Sequence, residues 1–435
     1  MTKSAFHGTD HFRSPCKPYK KDMDSVTRLL PKVLLLCSFF LRTGVANCQQ
    51  SSAELKKLYD AHSCFQMREK VHASNTPLFY RAVAACNFRE SRCAKELSKV
   101  QRQSTSADEV WEATSLLAQD ALADGHYSEA LKQVEALLKL RPTDKDAQNA
   151  QAFFGALTTS GDQRVVRHRR GQASVVQFDG NVGAKILVNG RSTAFIFDTG
   201  ANVSVISEGQ AKLLGLEVHA VDARMNVVTG AKIGFCVTTA TSLRLGNVEL
   251  KNVAFLVVGD DAEPFVEMPI GQRGILGLPV LLAAETLRMH DGVFDIGYKP
   301  ARYTRDAANI CAYGSTLNVE LTHESKPLTF ALDTGATHTD LYPLFASEFS
   351  DLLTSGSKET FTQKGIGSTQ DFPVVTIKAV AFTLAGHPVV LSPARVFLKP
   401  SLEGSETLAG NLGMDVLRQG NQLTFDFHAM RISLK

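Results

Sequence analysis

Two aspartates, Asp198 and Asp333, each begin the same four-residue sequence, Asp-Thr-Gly-Ala, and each follows an apolar run. Two carboxylates held close together cannot both ionise, so they share a proton and act as base and acid together. Such a pair can polarise a water molecule and protonate a carbonyl oxygen, which allows hydrolysis of a peptide bond without a metal or a covalent nucleophile. Asp198 and Asp333 are therefore the candidate catalytic residues.

The surroundings of the two aspartates are repeated as well. A second glycine motif follows each of them, at Gly274–Gly277 and at Gly410–Gly413. The last glycine of the first motif lies 79 residues after Asp198, and that of the second lies 80 residues after Asp333. These matched intervals predict a duplicated domain, with 135 residues between the aspartates.

The two copies resemble the retropepsin-like aspartic proteases over about residues 174–435. The shared pattern is an apolar strand, Asp-Thr-Gly-Ala, a Ser or Thr three residues beyond the alanine (Ser204 and Thr339), and a later apolar-apolar-Gly. Retropepsins usually carry one motif per subunit and dimerise. Two motifs in one chain imply a multidomain protein with an all-β, bilobal, acid-protease-like pseudo-dimer, whose lobes are residues 174–305 and 306–435.

The resemblance also implies roles for the neighbouring loop residues. Thr199 and Thr334 are expected to cross-link the two loops by hydrogen bonds beneath the carboxylates. Gly200 and Gly335 permit a sharp turn and a close approach of the loops, where a side chain would clash. The expected support for the catalytic pair consists of Thr199, Gly200, Ala201, Thr334, Gly335 and Ala336. The sequence contains neither Cys-x-x-Cys nor His-Glu-x-x-His, so no metal and no cofactor are expected.

The second copy departs from the family pattern at three positions. His338 and Asp340 stand where the first copy has Val203 and Val205, and Asn411 stands where it has Ile275. These departures motivate an alternative function, a non-catalytic peptide- or protein-binding protein built on protease-like lobes. A third possibility is that each lobe pairs with another chain.

Closure over a substrate in this family depends on a glycine-bearing β-hairpin. Candidates are Val227–Ala231 and Lys364–Ser368, and either could equally be an ordinary hairpin turn. Phe235, Phe265 and Phe361 are candidate cleft-lining residues. A two-residue turn at Asn189-Gly190 is predicted between two strands that lead into Asp198.

Residues 47–160 are predicted to be α-helical, because glycine is scarce and Ala, Leu, Glu, Lys and Gln dominate. Residues 108–142 resemble a tetratricopeptide (TPR) repeat in the spacing of Gly, Tyr, Ala and Pro. One such unit cannot bury its own face, so it must pack on neighbouring helices or on the β lobes. It could dock a protein partner or serve as a structural helix pair. Residues 161–173 are predicted to be a basic, solvated linker, with a proteolytic activation site as the alternative.

Residues 1–46 are predicted to be a signal peptide and its lead-in. The apolar run Val33–Leu41 is only nine residues long, too short for a permanent membrane span, and small residues follow up to Ala46. An uncleaved anchor or a buried core helix is the alternative. Asn47 fits poorly before a lipid-modified Cys48. The sequence therefore favours a soluble exported protein, periplasmic or secreted, over a lipoprotein.

Charge and cysteine content bear on the class of partner and on the cellular compartment. The 47 basic and 44 acidic residues give a formal charge of +3, too balanced to indicate a nucleic-acid partner. The expected partner is a peptide or protein substrate. Cys64, Cys86 and Cys93 could staple a helical hairpin in an oxidising compartment, or could be buried thiols.

Overall fold

The computed structural model describes residues 43–71, 76–226, 232–298, 308–400 and 405–435. The apolar run of the predicted signal peptide and the hairpin candidate Val227–Ala231 lie outside the described residues. Within these ranges, no helix is both long and apolar enough to cross a membrane.

The N-terminal region is helical, as its composition predicts. Its helices are α1 (Thr43–Asp60), α2 (Cys64–Lys70), α3 (Leu78–Asn87), α4 (Cys93–Gln103), α5 (Ala107–Ala123), α6 (Tyr127–Leu140) and α7 (Lys145–Thr158). Two of them begin at side-chain caps: Ser106 accepts from the N–H of Glu109 at 3.3 Å, and Asp144 accepts from the N–H of Ala147 at 2.8 Å. These caps satisfy amide groups that the first helical turn leaves without a partner.

The helices pack on one another in chain order and also on the β region. The TPR-like segment covers α5 and α6, which are joined through Gly125 at a positive φ of 72°. The hydroxyl of Tyr127, on α6, accepts a hydrogen bond from the N–H of Ala254 in the β region at 3.3 Å. The segment therefore has both of the packing partners that its apolar face requires, while its identity as a TPR unit stays a prediction.

The disulfides agree with the proposed helical staple for two of its three cysteines. Cys86 and Cys93 are bonded and join α3 to α4. Cys64 is bonded instead to Cys311, 247 residues away, and so ties α2 to the β region. The staple prediction was wrong for Cys64, because helix packing brings it beside a distant strand rather than beside the nearby cysteines.

The rest of the chain is rich in β-strands. Those of the first half are β1 (Arg164–Arg167), β2 (Gly171–Phe178), β3 (Asn181–Val188), β4 (Arg191–Phe197), β5 (Ser204–Ser207), β6 (His219–Asn226), β7 (Lys232–Ala240), β8 (Leu243–Leu245), β9 (Val248–Lys251), β10 (Val253–Val258), β11 (Gly274–Leu276), β12 (Thr286–His290) and β13 (Val293–Ile296). Those of the second half are β14 (Ile310–Tyr313), β15 (Thr316–His323), β16 (Lys326–Leu332), β17 (Asp340–Leu341), β18 (Ser357–Gly365), β19 (Ser368–Ile377), β20 (Val380–Leu384), β21 (His387–Leu391), β22 (Ala394–Phe397), β23 (Gly410–Leu412), β24 (Leu423–Asp426) and β25 (Arg431–Leu434). Short helices lie between them: α8 (Glu208–Leu213), α9 (Leu278–Ala283), α10 (Pro343–Glu348), α11 (Ser350–Leu353) and α12 (Met414–Leu417).

Two local predictions can be compared with these strands. The turn at Asn189-Gly190 is confirmed: β3 and β4 pair up to Val188 and Arg191, and both turn residues have positive φ, 48° and 78°. The stretch 161–173 is not simply a solvated linker. Its strand β1 pairs with β9, because Val165 and its neighbours can complete the edge of a sheet that already exists.

The strand order is the same in the two halves. In the first half it runs β3-β4-β11-β5-β10-β7-β6, and in the second β15-β16-β23-β17-β22-β19-β18. The hairpin β8–β9 adjoins β3, and the hairpin β20–β21 adjoins β15 in the same way. The sequence repeat therefore corresponds to a repeat of topology, with each Asp-Thr-Gly-Ala loop following the equivalent strand.

The sheet also joins the end of the chain to the first half, in the order β25-β24-β12-β13-β2. Asp295, which lies on β13 and is only 1% exposed, accepts hydrogen bonds from Arg288, Gln172 and His290. Burial alone would raise the pKa of Asp295, but these donors hold it below its usual range. The C-terminal strands thus pack with residues 174–305 rather than with 306–435 alone.

Candidate active site

Each candidate catalytic aspartate is held at the end of its strand by its own glycine motif. The N–H of Asp198 donates to the carbonyl of Leu276 at 3.0 Å, and the N–H of Asp333 donates to that of Leu412 at 3.1 Å. β11 and β23 run parallel to β4 and β16, respectively, which places these carbonyls behind the loops. Regular sheet pairing therefore fixes both aspartates on rigid elements.

The two loops are cross-linked through their threonines. The hydroxyl of Thr334 accepts from the N–H of Thr199 at 3.0 Å, and the hydroxyl of Thr199 accepts from the N–H of Thr334 at the same distance. Each hydroxyl also donates across the interface, Thr199 to the carbonyl of Leu332 at 2.6 Å and Thr334 to that of Phe197 at 2.7 Å. All four groups are buried, so this network fixes the loops relative to each other.

The loop glycines lie against the opposite carboxyl group. A Cβ atom on Gly335 would lie 2.4 Å from Cγ of Asp198, and one on Gly200 would lie 2.9 Å from Cγ of Asp333. A side chain at either position would collide with the aspartate of the other loop. The glycines are therefore required by the close approach of Asp198 and Asp333.

The two carboxyl groups have unequal surroundings. Asp198 accepts from the N–H of Gly200 at 2.8 Å. Asp333 accepts from the N–H groups of Gly335 at 2.9 Å and Ala336 at 3.0 Å, and its other oxygen accepts from Nδ2 of Asn411 at 2.9 Å. The donor from Asn411 was not anticipated, because the sequence showed only that a polar residue replaces an apolar one there.

The electrostatics of the pair follow from this arrangement. Burial, the nearby charge of Asp333 and a hydrogen bond between the two carboxyl groups raise the pKa of Asp198 well above its ordinary value. A carboxyl group in this position keeps its proton under conditions in which an isolated aspartate loses it. The pair can thus offer a proton donor and a proton acceptor side by side.

The Ser or Thr three residues beyond each alanine braces the loop from behind. The hydroxyl of Ser204 accepts from the N–H of Gly277 at 3.1 Å, and that of Thr339 accepts from the N–H of Gly413 at 2.9 Å. Thr339 also donates to Asp415 at 2.6 Å. The glycine motifs and the hydroxyl residues of the repeated pattern therefore meet in space.

Asp198 and Asp333 line one cleft of about 1670 Å³. The lining that the first half contributes includes an apolar cluster, Val203, Val205, Phe235, Leu256 and Ile275, beside polar residues such as Asn181, Lys232 and Gln272. The wall that the second half contributes is polar, with His338, Asp340, Arg395 and Asn411 beside Phe361. Phe235 and Phe361 line the cleft as expected, whereas Phe265 is fully buried in the core of the first half.

A glycine-bearing hairpin reaches across this cleft. Lys364–Ser368 forms the turn between β18 and β19, and Gly367 adopts a positive φ of 67°. The N–H of Gly367 donates to the carbonyl of Glu263 in the first half at 2.9 Å, and Nζ of Lys364 lies 3.3 Å from the carboxylate of the same residue. The hairpin from the second half is thus closed onto the first.

The helical region contributes another part of the cleft wall, which the sequence did not reveal. Asn149 on α7 hydrogen-bonds both backbone groups of Arg224, with 2.6 Å from the N–H of Arg224 to Oδ1 of Asn149. Phe153 packs edge-on against Phe235 with 5.7 Å between ring centroids. α7 therefore braces β6 and β7 and lines the cleft with Asn149 and Phe153.

Within the described ranges, no cluster of three or more His, Cys, Asp or Glu residues could hold a metal ion. The groups that contact the two carboxyl groups are backbone N–H donors of the two loops and the side-chain amide of Asn411 on β23. The chemistry that this arrangement can support is proton transfer between the two carboxyl groups, a water molecule and a bound substrate.

Parts of this chain are similar to known proteins. None of the curated proteins compared with it matches the chain. Among solved structures, a retropepsin-like aspartic protease from Rickettsia conorii is 20% identical, with 30% of this chain and 92% of that chain covered and a TM-score of 0.23. An aspartic proteinase from Irpex lacteus is 14% identical, with 61% and 96% covered and a TM-score of 0.35.

A family model gives the more specific result. Residues 184–282, which contain Asp198 and the motif Gly274–Gly277, match the family described as gag-polyprotein putative aspartyl protease. The match covers the strands, loop and glycine motif that hold Asp198 in place. The match therefore supports an aspartyl-protease-like fold for residues 184–282.

Proposed function

We propose that this protein is an aspartic endopeptidase that hydrolyses peptide bonds with a water molecule activated between Asp198 and Asp333. The observation that carries the proposal is the arrangement of the two carboxyl groups. They line one cleft, lie close enough for the charge of Asp333 to raise the pKa of Asp198, and stand on loops that are cross-linked by Thr199 and Thr334.

The surroundings of the two carboxyl groups assign their roles in this mechanism. Asp198, whose raised pKa keeps it protonated, donates its proton to the carbonyl oxygen of the substrate. Asp333, whose oxygens accept three hydrogen bonds, takes a proton from water as the water oxygen attacks the carbonyl carbon. Asp333 then passes its proton to the nitrogen of the scissile bond, and Asp198 takes a proton back from a hydroxyl of the diol. The C–N bond breaks, and the pair returns to its starting state.

We further propose that the two halves form a bilobal pseudo-dimer within one chain. The repeated strand order and the symmetric threonine cross-link support it. The site then needs no second copy of the chain. If lobes of different chains paired instead, activity would depend on protein concentration, and a monomeric fraction separated by gel filtration would be inactive.

The proposal also covers the cellular location of the protein and the role of its helical region. Disulfides such as Cys64–Cys311 and Cys86–Cys93 persist in oxidising compartments, which supports an exported protein, periplasmic or secreted. The TPR-like segment is proposed to support the lobes and to offer a surface for a protein partner.

The alternative function is peptide binding without catalysis, and the polar residues of the second half are the observation that favours it. Asp198→Asn and Asp333→Asn separate the two functions. Each substitution should abolish cleavage of an unfolded protein or a peptide library, since each removes one half of the acid–base pair. Asp351→Asn, at an exposed position on α11, is the matched control and should cleave normally. Full activity in either active-site variant would rule out the proposed mechanism.

A further inference from the structure

The polar wall of the cleft replaces an apolar cluster of the first half, position by position. In the first half, Val205 on β5 pairs with Ile275 on β11 and with Leu256 on β10. In the second half, strands with the same places in the sheet bring together Asp340, Asn411 and Arg395. The cleft is therefore asymmetric at equivalent positions on the two sides of the aspartate pair.

Asp340 and Arg395 form an ion pair that is largely removed from solvent. Oδ1 of Asp340 lies 2.7 Å from Nε and 2.6 Å from Nη2 of Arg395, and the two side chains are 10% and 19% exposed. The guanidinium group also lies over the ring of Phe361, with 3.4 Å from Cζ to the ring centroid. This packing holds the pair in one orientation at the cleft wall.

The ion pair leaves hydrogen-bonding capacity facing the cleft. Among the contacts of the described residues, no hydrogen bond reaches Oδ2 of Asp340, and the guanidinium group of Arg395 uses two of its nitrogens on Oδ1. An arginine carries five N–H donors, so further donors stay available for a ligand. The site thus presents an acceptor and donors next to each other.

We propose that this pocket is a specificity subsite for an uncharged carboxamide side chain of the substrate, Gln or Asn. The amide N–H group of such a side chain can donate to Oδ2 of Asp340, while its carbonyl oxygen accepts from Arg395. A charged side chain gains from one member of the ion pair and is repelled by the other. An apolar side chain would cover Oδ2 without replacing its hydrogen bond to water, which is costly.

The opposite wall selects a different side chain. Val205, Leu256 and Ile275 offer no hydrogen-bonding group from their side chains, and Phe235 closes the same wall. The preferred peptide then carries an apolar residue on one side of the aspartate pair and a carboxamide residue on the other. This inference rests on the proposed function, because it assumes that the cleft binds an extended peptide across the two aspartates.

The test measures the binding of peptides rather than their cleavage. An octapeptide library whose central peptide bond is a reduced amide, and so cannot be cleaved, is captured on the immobilised full chain, and the captured pool is sequenced. The matched variant is Asp340→Val/Arg395→Leu, which copies the residues that the first half has at these positions. Circular dichroism and thermal unfolding establish that the variant is folded.

The wild-type pool should be enriched at least about tenfold in Gln or Asn over Leu at one position, since a site built for hydrogen bonds discriminates against a ligand that lacks them. The folded double variant should prefer apolar residues there. A wild-type pool that is apolar, charged or random at every position overturns the inference whether or not the variant folds, and so does a folded variant with an unchanged pool. If the protein is inactive but its captured pool is enriched, the proposed enzymatic function is wrong and the subsite proposal stands. If the protein is active but its captured pool is random, only the subsite proposal is wrong.

Discussion

Nδ2 of Asn411 donates a hydrogen bond to Oδ2 of Asp333 at 2.9 Å, whereas the equivalent position in the first half is Ile275, which has no donor. The duplicated loops are therefore not equivalent at the atoms that would react. The charge of Asp333 helps to raise the pKa of Asp198, which is buried beside it. The asymmetry between the halves gives each aspartate a distinct role in the proposed mechanism.

The pH dependence of activity should reflect this asymmetry. The value of kcat/KM is expected to fall as the pH rises through the raised pKa of Asp198, because the acid is then lost. Asn411→Ile removes a hydrogen bond that Asp333 accepts, so the pH profile of the variant should differ from that of the wild type. Profiles of kcat/KM for the two proteins are the measurement. Superimposable profiles would mean that Asn411 does not tune the pair.

Stability should depend on pH through the same residue. The pKa of Asp198 is higher in the folded protein than the value of 3.8 for a free side chain, so the folded state binds its proton more tightly. Its contribution to stability is complete below about pH 3.8 and is lost as the pH rises through the folded pKa. Asp198→Asn removes that loss, so its melting temperature should exceed that of the wild type at pH 7. The comparison at pH 3.5 is the control, and an equal difference at both pH values would contradict this account.

The cross-link between the loops predicts a specific loss when one hydroxyl is removed. Thr334→Val keeps the shape but leaves the buried N–H of Thr199 without its acceptor, which should lower the free energy of unfolding by about 1–3 kcal/mol. Activity should fall more than tenfold, because the two aspartates lose their fixed separation. Thr334→Ser keeps the hydroxyl and should retain most of both. Denaturant unfolding and kcat/KM provide the two readouts, and equal behaviour of Val and Ser would exclude a role for the hydroxyl.

The contact between α7 and the first half predicts an effect on binding rather than on chemistry. Asn149→Ala removes both hydrogen bonds to the backbone of Arg224. The strands β6 and β7 should then exchange their amide hydrogens faster, and KM should rise several-fold with kcat almost unchanged. Gln151→Ala changes an exposed residue of the same helix and serves as the control. A fall in kcat at constant KM would show that α7 acts on the aspartates instead.

The disulfide between α2 and β14 should contribute more stability than the local one. Cys64→Ser/Cys311→Ser opens a bond that spans 247 residues, and the expected loss in the free energy of unfolding is about 2–4 kcal/mol. Cys86→Ser/Cys93→Ser opens a bond that spans 7 residues and should cost less. Denaturant unfolding of the two variants compares these losses. A larger loss in the local variant would contradict the expected dependence on the length of the closed loop.

The sequence by itself determined the elements that carry the chemistry. Apolar runs before Asp198 and Asp333, the turn at Asn189-Gly190 and the two glycine motifs are local patterns, and local patterns reflect backbone preferences that act within a few residues. The repeated interval between aspartate and glycine motif then predicted that each loop is built in the same way, and the two halves have the same strand order.

Only the tertiary structure decided which side chains line the cleft and which distant residues contact each other. Asp340 and Arg395 are 55 residues apart, Asn149 and Arg224 are 75 apart, and Cys64 and Cys311 are 247 apart. Each of these contacts depends on which strands are neighbours and in what register, or on how a helix packs against a sheet. A linear pattern shows that Asp340 and Asn411 are unusual, but their partners follow only from the folded arrangement of the sheets.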